Sequence, residues 1–140
     1  MTTKEYLEQP YKLKKKLGYL YMELEHYETL MYSVSTIQFD SIRVDKSPAK
    51  ETINQYALEK YDETKRKIND VELEYNRVVK EIEETIDKLE NDNYKSLLKY
   101  RYLNEMNMVE IAEKLFTSRT TLHRWLYDSF EKIKALKCFD

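Results

Sequence analysis

The sequence predicts an all-α protein: a long antiparallel helical hairpin, a coiled-coil-like arm, followed by a C-terminal helix-turn-helix module. Three observations predict this class. The 140 residues include one Gly and two Pro, too little turn chemistry for a set of strands. In two long stretches the apolar residues recur at alternating steps of four and three, the seam of a left-handed coiled coil. Near the C-terminus, Asn and Ser each stand just before a short apolar-periodic run, where a helix N-cap belongs.

Residues 1–10 read as a leader ending at Pro10, either a frayed end or a separate turn. A helix is predicted from Tyr11 to about Val34, with the seam Leu13, Leu17, Leu20, Leu24, Tyr27, Met31 and Val34. Tyr19, Tyr21 and Leu30 widen that stripe, and Lys14-Lys15-Lys16 reads as a solvated basic face. Residues 35–50 lose the seam. Ser35, Ser41, Ser47 and Pro48 favour a loop there, with a short turn around Phe39–Val44.

A second helix is predicted from Lys50 to Asn91, with the seam Ala57, Tyr61, Thr64, Ile68, Val71, Tyr75, Val78, Ile82, Thr85 and Leu89. Leu58, Val79 and Ile86 broaden it toward the C-terminal end. Such a helix is about 60 Å long, whereas the first covers about 36 Å. Helices draw most of their stability from packing, so the excess must meet the C-terminal module or a second subunit. A homodimer is therefore expected, the alternative being an intramolecular hairpin that leaves the protein monomeric. Asn91-Asp92-Asn93 marks the joint, with the arm over residues 1–92 and the module over 93–140.

In the module, a lead helix ends near Leu103. Asn107 caps a short helix, Val109 to Leu115. A three-residue turn leads to Ser118, which caps the last helix from Arg119 to Leu136. Ile111, Ala112 and Leu115 share one face, as do Leu122, Trp125, Leu126, Ser129, Ile133 and Leu136. Ala112 is small where the two helices come closest. The opposite face of the last helix begins Thr120, Thr121, His123, Arg124 and Tyr127, with no acid among them.

Charge is distributed unevenly. The net charge is −2, but Glu51–Asp92 carries 13 acidic and seven basic residues, and Asn93–Asp140 carries nine basic and six acidic. Nucleic acid should meet the C-terminal third and be repelled by the middle. A polar, basic first turn and a half suits the phosphates and base edges of a major groove. Phosphate contacts are expected from Lys114, Arg119, Lys132 and the Ser118 hydroxyl, and base contacts from Thr120, Thr121, His123 and Arg124. The same spacing also fits an α-hairpin with a solvated charged face.

From Leu98 to Leu136 the chain resembles region 4 of bacterial sigma factors. The likeness rests on a basic-aromatic lead, Lys99-Tyr100-Arg101-Tyr102-Leu103, then Glu110-Ile111-Ala112-Glu113-Lys114-Leu115, a turn, Ser118-Arg119, and Leu122 three residues further on. It is also similar to small phage late-gene transcription regulators of the ArpU and RinA type, whose comparable module follows a long helical region. The resemblance implies that Arg119, Thr120, Thr121, His123 and Arg124 read double-stranded DNA. It further implies activation of phage late genes together with bacterial RNA polymerase, in the cytoplasm of the host cell. One departure stands out. The turn often opens with Gly or Asn, which reach a left-handed backbone cheaply, but here it opens with Phe116.

Other functions find little footing. There is no Gly-rich phosphate loop and no nucleophile beside a base, so no enzyme and no cofactor are expected. Glu23 and His26 form a Glu-x-x-His on a helix, but a di-iron bundle needs two such motifs and two further carboxylates. Cys138 is the only cysteine, so no internal disulfide can form. No apolar run approaches a membrane span, and no signal-peptide core is present. Two alternatives stay open: a ring-forming DNA-packaging recognition subunit of small-terminase kind, and a helical adaptor that binds proteins through its acidic arm.

Overall fold

A computed structural model describes residues 1–41 and 53–139, with side chains over 1–32 and 53–139. The described residues are helical and contain no strand. In chain order the elements are α1 (Thr3–Leu7), α2 (Gln9–Ser41), α3 (Gln55–Asp87), α4 (Asp92–Leu98), a π-helical turn (Lys99–Leu103), α5 (Met108–Lys114) and α6 (Arg119–Lys137). They form two compact units, Met1–Lys14 with Glu74–Asp140, and Lys15–Leu73. Among the described residues no helix is long and apolar enough to cross a membrane.

The N-terminal segment is a correction to the sequence reading. Residues 1–10 are not a frayed leader. The Glu5 N–H donates to Thr2 Oγ1 at 3.2 Å and the Thr2 N–H to Glu5 Oε2 at 3.4 Å, a reciprocal capping box that starts α1. Pro10 does not stop the chain either. It sits in the first turn of α2, where its missing N–H would have had no helical partner. Tyr6 and Leu7 are buried and join Val78, Ile82, Ile86, Leu89, Leu98 and Ile133 in one core cluster. In this first unit, then, the stripe of α3 is covered by α1, α4 and α6. The expected joint at residues 92 and 93 lies within the same unit.

A second cluster supports the end of the chain. Leu97, Ile111, Ala112 and Leu122 are buried together, with Leu115, Trp125 and Leu126 packed against them. Adjacent residues thus serve separate cores, Leu98 the first and Leu97 the second. The π-helical turn rotates the chain out of α4, since a π bulge inserts an extra residue into the turn. Tyr102 from this turn packs its ring 6.1 Å from that of Phe130.

The second unit is a two-helix pairing. The Tyr21 hydroxyl donates to Glu72 Oε1 at 2.8 Å, and the Asn54 N–H donates to the Met31 carbonyl at 3.5 Å. Partners run backward along α3 as α2 advances, so the helices are antiparallel. Leu20, Met31, Ala57, Thr64, Ile68 and Val71 are buried. Every described position of the α3 seam is buried or half-buried. Three expectations need correction here. Tyr19 and Tyr21 do not widen the α2 stripe; they are 59% and 50% exposed. Residues 35–41 continue α2 instead of opening a loop, and the rest of the expected loop lies outside the described residues. Helix α3 begins at Gln55, where the Asn54 side chain accepts the Ala57 N–H at 3.2 Å, and it ends at Asp87 rather than Asn91.

Candidate nucleic-acid interface

Helix α5 starts as its sequence requires. Asn107 Oδ1 accepts the Glu110 N–H at 2.9 Å, and Asn107 Nδ2 donates to Glu110 Oε1 at 2.7 Å. Helix α6 starts the same way, with Ser118 Oγ accepting the Thr121 N–H at 3.2 Å. The Ser118 hydroxyl proton goes to Thr121 Oγ1 at 3.0 Å. To donate to an external acceptor, Ser118 must first release Thr121.

The turn between these helices answers the question raised by Phe116. The Phe116 N–H bonds to the Glu113 carbonyl at 3.3 Å and the Thr117 N–H to the Ala112 carbonyl at 3.0 Å. That pair of bonds is the Schellman motif, which needs a left-handed residue at the position Phe116 fills. Phe116 adopts φ 53° and is 94% exposed. The turn therefore keeps the usual shape, and Phe116 bears the steric cost of a left-handed backbone with no packing in return.

Packing fixes which face of α6 stays open. Leu122, Ser129 and Ile133 are buried, and Trp125 and Leu126 are half-buried against α4 and α5. Ser129 is tolerated in this face because its hydroxyl donates to the Leu126 carbonyl at 2.8 Å. Leu136, expected on this face, is 45% exposed.

On the opposite side, Arg119, Thr120, His123, Arg124, Tyr127 and Lys132 are exposed, as are Lys114 and Ser118; Thr121 is half-buried. The helical period aligns Thr120, Arg124 and Tyr127, with His123 beside them. No acidic residue stands in the first turn of α6. The first acid along α6, Asp128, accepts a hydrogen bond from the Tyr94 hydroxyl at 3.1 Å. Burial of the Tyr94 ring, together with that bond to Asp128, raises the phenol pKa above its ordinary value. The nine expected positions thus lie at the end of α5, at the N-cap of α6 and along α6, open to solvent except for the half-buried Thr121.

Against family models, residues 37–134 match the family described as "Protein of unknown function (DUF1492)". The chain belongs to this family. The match takes in α3 through most of α6 and so includes the whole candidate interface. Neither a curated protein nor a solved structure matches the chain.

Within this DUF1492 chain, two features of the interface had no usable sequence signal. The tie from Tyr94 to Asp128 spans 34 residues, and nothing local announces it. The exposure of Phe116 follows from the left-handed turn, which points its side chain away from both helices. Among the described residues no cluster of three or more His, Cys, Asp or Glu is placed to hold an ion.

Proposed function

We propose that this protein is a sequence-specific, double-stranded DNA-binding transcription regulator that reads the major groove with α6. The observation that carries this reading is the open, acid-free start of that helix, Thr120, His123, Arg124 and Tyr127, held rigidly by Leu122 against Ile111 and Ala112. A helix supported from behind by a second helix, with polar and basic side chains leading, matches the geometry of groove-reading modules. Lys114, Arg119 and Lys132 flank that row and supply charge for phosphates, while Arg124 can address a guanine through two hydrogen bonds. The sigma-like order of residues extends the proposal to phage late-gene activation alongside bacterial RNA polymerase in the host cytoplasm.

The experiment is a sequence-selection binding assay on the purified protein, with gel shifts against random duplex at low salt. Enrichment of a defined motif supports the proposal. No shift with any duplex at low salt would sink it, because even non-specific phosphate binding is visible there. That outcome would favour the helical adaptor. A closed ring by light scattering would favour the packaging subunit.

A further inference from the structure

We propose that the outward face of α2 between Lys15 and Glu25 is a self-complementary surface that pairs antiparallel with the same face of a second copy of this chain. The surplus stripe of α3 no longer argues for a dimer, because α1, α4 and α6 cover it within the first unit. The argument comes instead from a second seam on α2, opposite the buried one. Lys15, Gly18, Met22, Glu25, Thr29 and Tyr32 follow each other at steps of three, four, three, four and three. All six are exposed. This is the spacing that keeps one face toward a partner helix over several turns.

Gly18 is the only glycine in the chain, and it stands inside a helix, where glycine is costly. It caps nothing and has an ordinary backbone. A Cβ built on it meets nothing within 4 Å, so no neighbour among the described residues explains its lack of a side chain. A large side chain arriving from outside would. Met22, one turn further on and 68% exposed, is such a side chain, and with Glu25, His26 and Thr29 it lines a shallow depression.

Charge selects the occupant and its direction. Lys15 lies at one end of this seam and Glu25 toward the other. A parallel, in-register pair would set Lys15 on Lys15 and Glu25 on Glu25. An antiparallel pair with its two-fold axis at the level of Leu20 sets Lys15 of each copy opposite Glu25 of the other. The same axis sets Gly18 opposite Met22. One operation therefore satisfies charge and size together, as a closed two-fold interface requires. The adjoining Tyr19 and His26 flank the contact with rings that can cover the paired helices while staying hydrated. The proposal does not rest on the DNA-binding reading.

The test is sedimentation of the full chain over a micromolar to millimolar series. The wild-type protein is expected to associate to a dimer. Lys15→Glu sets like charges opposite each other twice per dimer and should weaken association about tenfold or more. Combining Lys15→Glu with Glu25→Lys restores both pairs and should recover it. Gly18→Leu fills the space over the glycine and should weaken association while leaving helix content unchanged. A monomer at every concentration overturns the proposal. So does association that ignores Lys15→Glu, or a double variant that stays as weak as the single one.

Discussion

The Tyr6 hydroxyl lies 2.8 Å from the Thr85 hydroxyl, joining residues 79 apart in sequence. Thr85 directs its own proton to the Glu81 carbonyl one turn back at 3.0 Å, so Tyr6 is the donor. Both side chains are buried. A threonine in the middle of a packing seam is thereby satisfied on both counts, and α1 is held against α3 at a fixed register. The Tyr6 ring also meets Phe139 at 5.3 Å and lies under Lys137 Nζ at 5.2 Å, which ties the two ends of the chain into one core.

The N-terminal segment is thus structural. Leu7→Ala empties a fully buried site and should lower stability by about 2–5 kcal/mol, and Tyr6→Phe by about 0.5–1.5 kcal/mol. Urea unfolding followed by circular dichroism measures both. A Leu7→Ala protein as stable as the parent would show α1 to be dispensable.

Phe116 offers the opposite effect. Its left-handed backbone costs roughly 1–2 kcal/mol, and its exposed ring contributes no packing. Glycine removes the strain but loses more entropy on folding, by roughly 0.5–1 kcal/mol. Phe116→Gly should therefore be more stable by about 0.5–1 kcal/mol, read as a shift in unfolding midpoint. A destabilised variant would mean that the ring is held by something the chain does not itself supply.

Gly18→Ala isolates the helix cost of the only glycine. At dilutions where the chain is monomeric, the variant should gain about 0.5–1 kcal/mol, because the added methyl meets no neighbour among the described residues. Thermal unfolding at low micromolar concentration is the measurement. A loss of stability there would place a hidden contact over residue 18.

Two substitutions on α6 separate reading from gripping. Arg124→Ala should cost about 1–3 kcal/mol on the selected site and relax preference at one base position. Lys132→Ala should weaken all sequences alike and flatten the dependence of affinity on salt. Binding isotherms on cognate and scrambled duplexes at several salt concentrations distinguish them. Equal effects on both duplexes from Arg124→Ala would remove it from the base-reading role.

Burial raises the Tyr102 phenol pKa above the ordinary 10.0, with the adjacent Arg101 working against the shift. The folded state therefore favours the neutral phenol. Its contribution is fully present below the unfolded value and is lost as pH rises through the folded one. Stability should fall as pH rises above about 10, and Tyr102→Phe should flatten that fall. Unfolding midpoints on either side of pH 10 provide the readout, and an unchanged slope in the variant would count against the buried phenol.

Local rules made much of this chain legible. The 3.5-residue spacing picked out the α3 seam from Ala57 to Leu89, and all of it is buried or half-buried. The caps at Asn107 and Ser118 are where short polar side chains before apolar runs placed them. These features depend on residues within one or two turns of each other, so sequence alone determined them, together with the all-α class. What tertiary structure decided was long-range. Thr3, Tyr6 and Leu7 look like the start of a frayed end, because five helical residues cannot hold themselves. They form a helix because α3, α4 and α6 present a core for Tyr6 and Leu7 to enter. The exposure of Tyr19 and Tyr21 was settled likewise. Spacing says which residues share a face, but only the packed neighbours say which faces are covered.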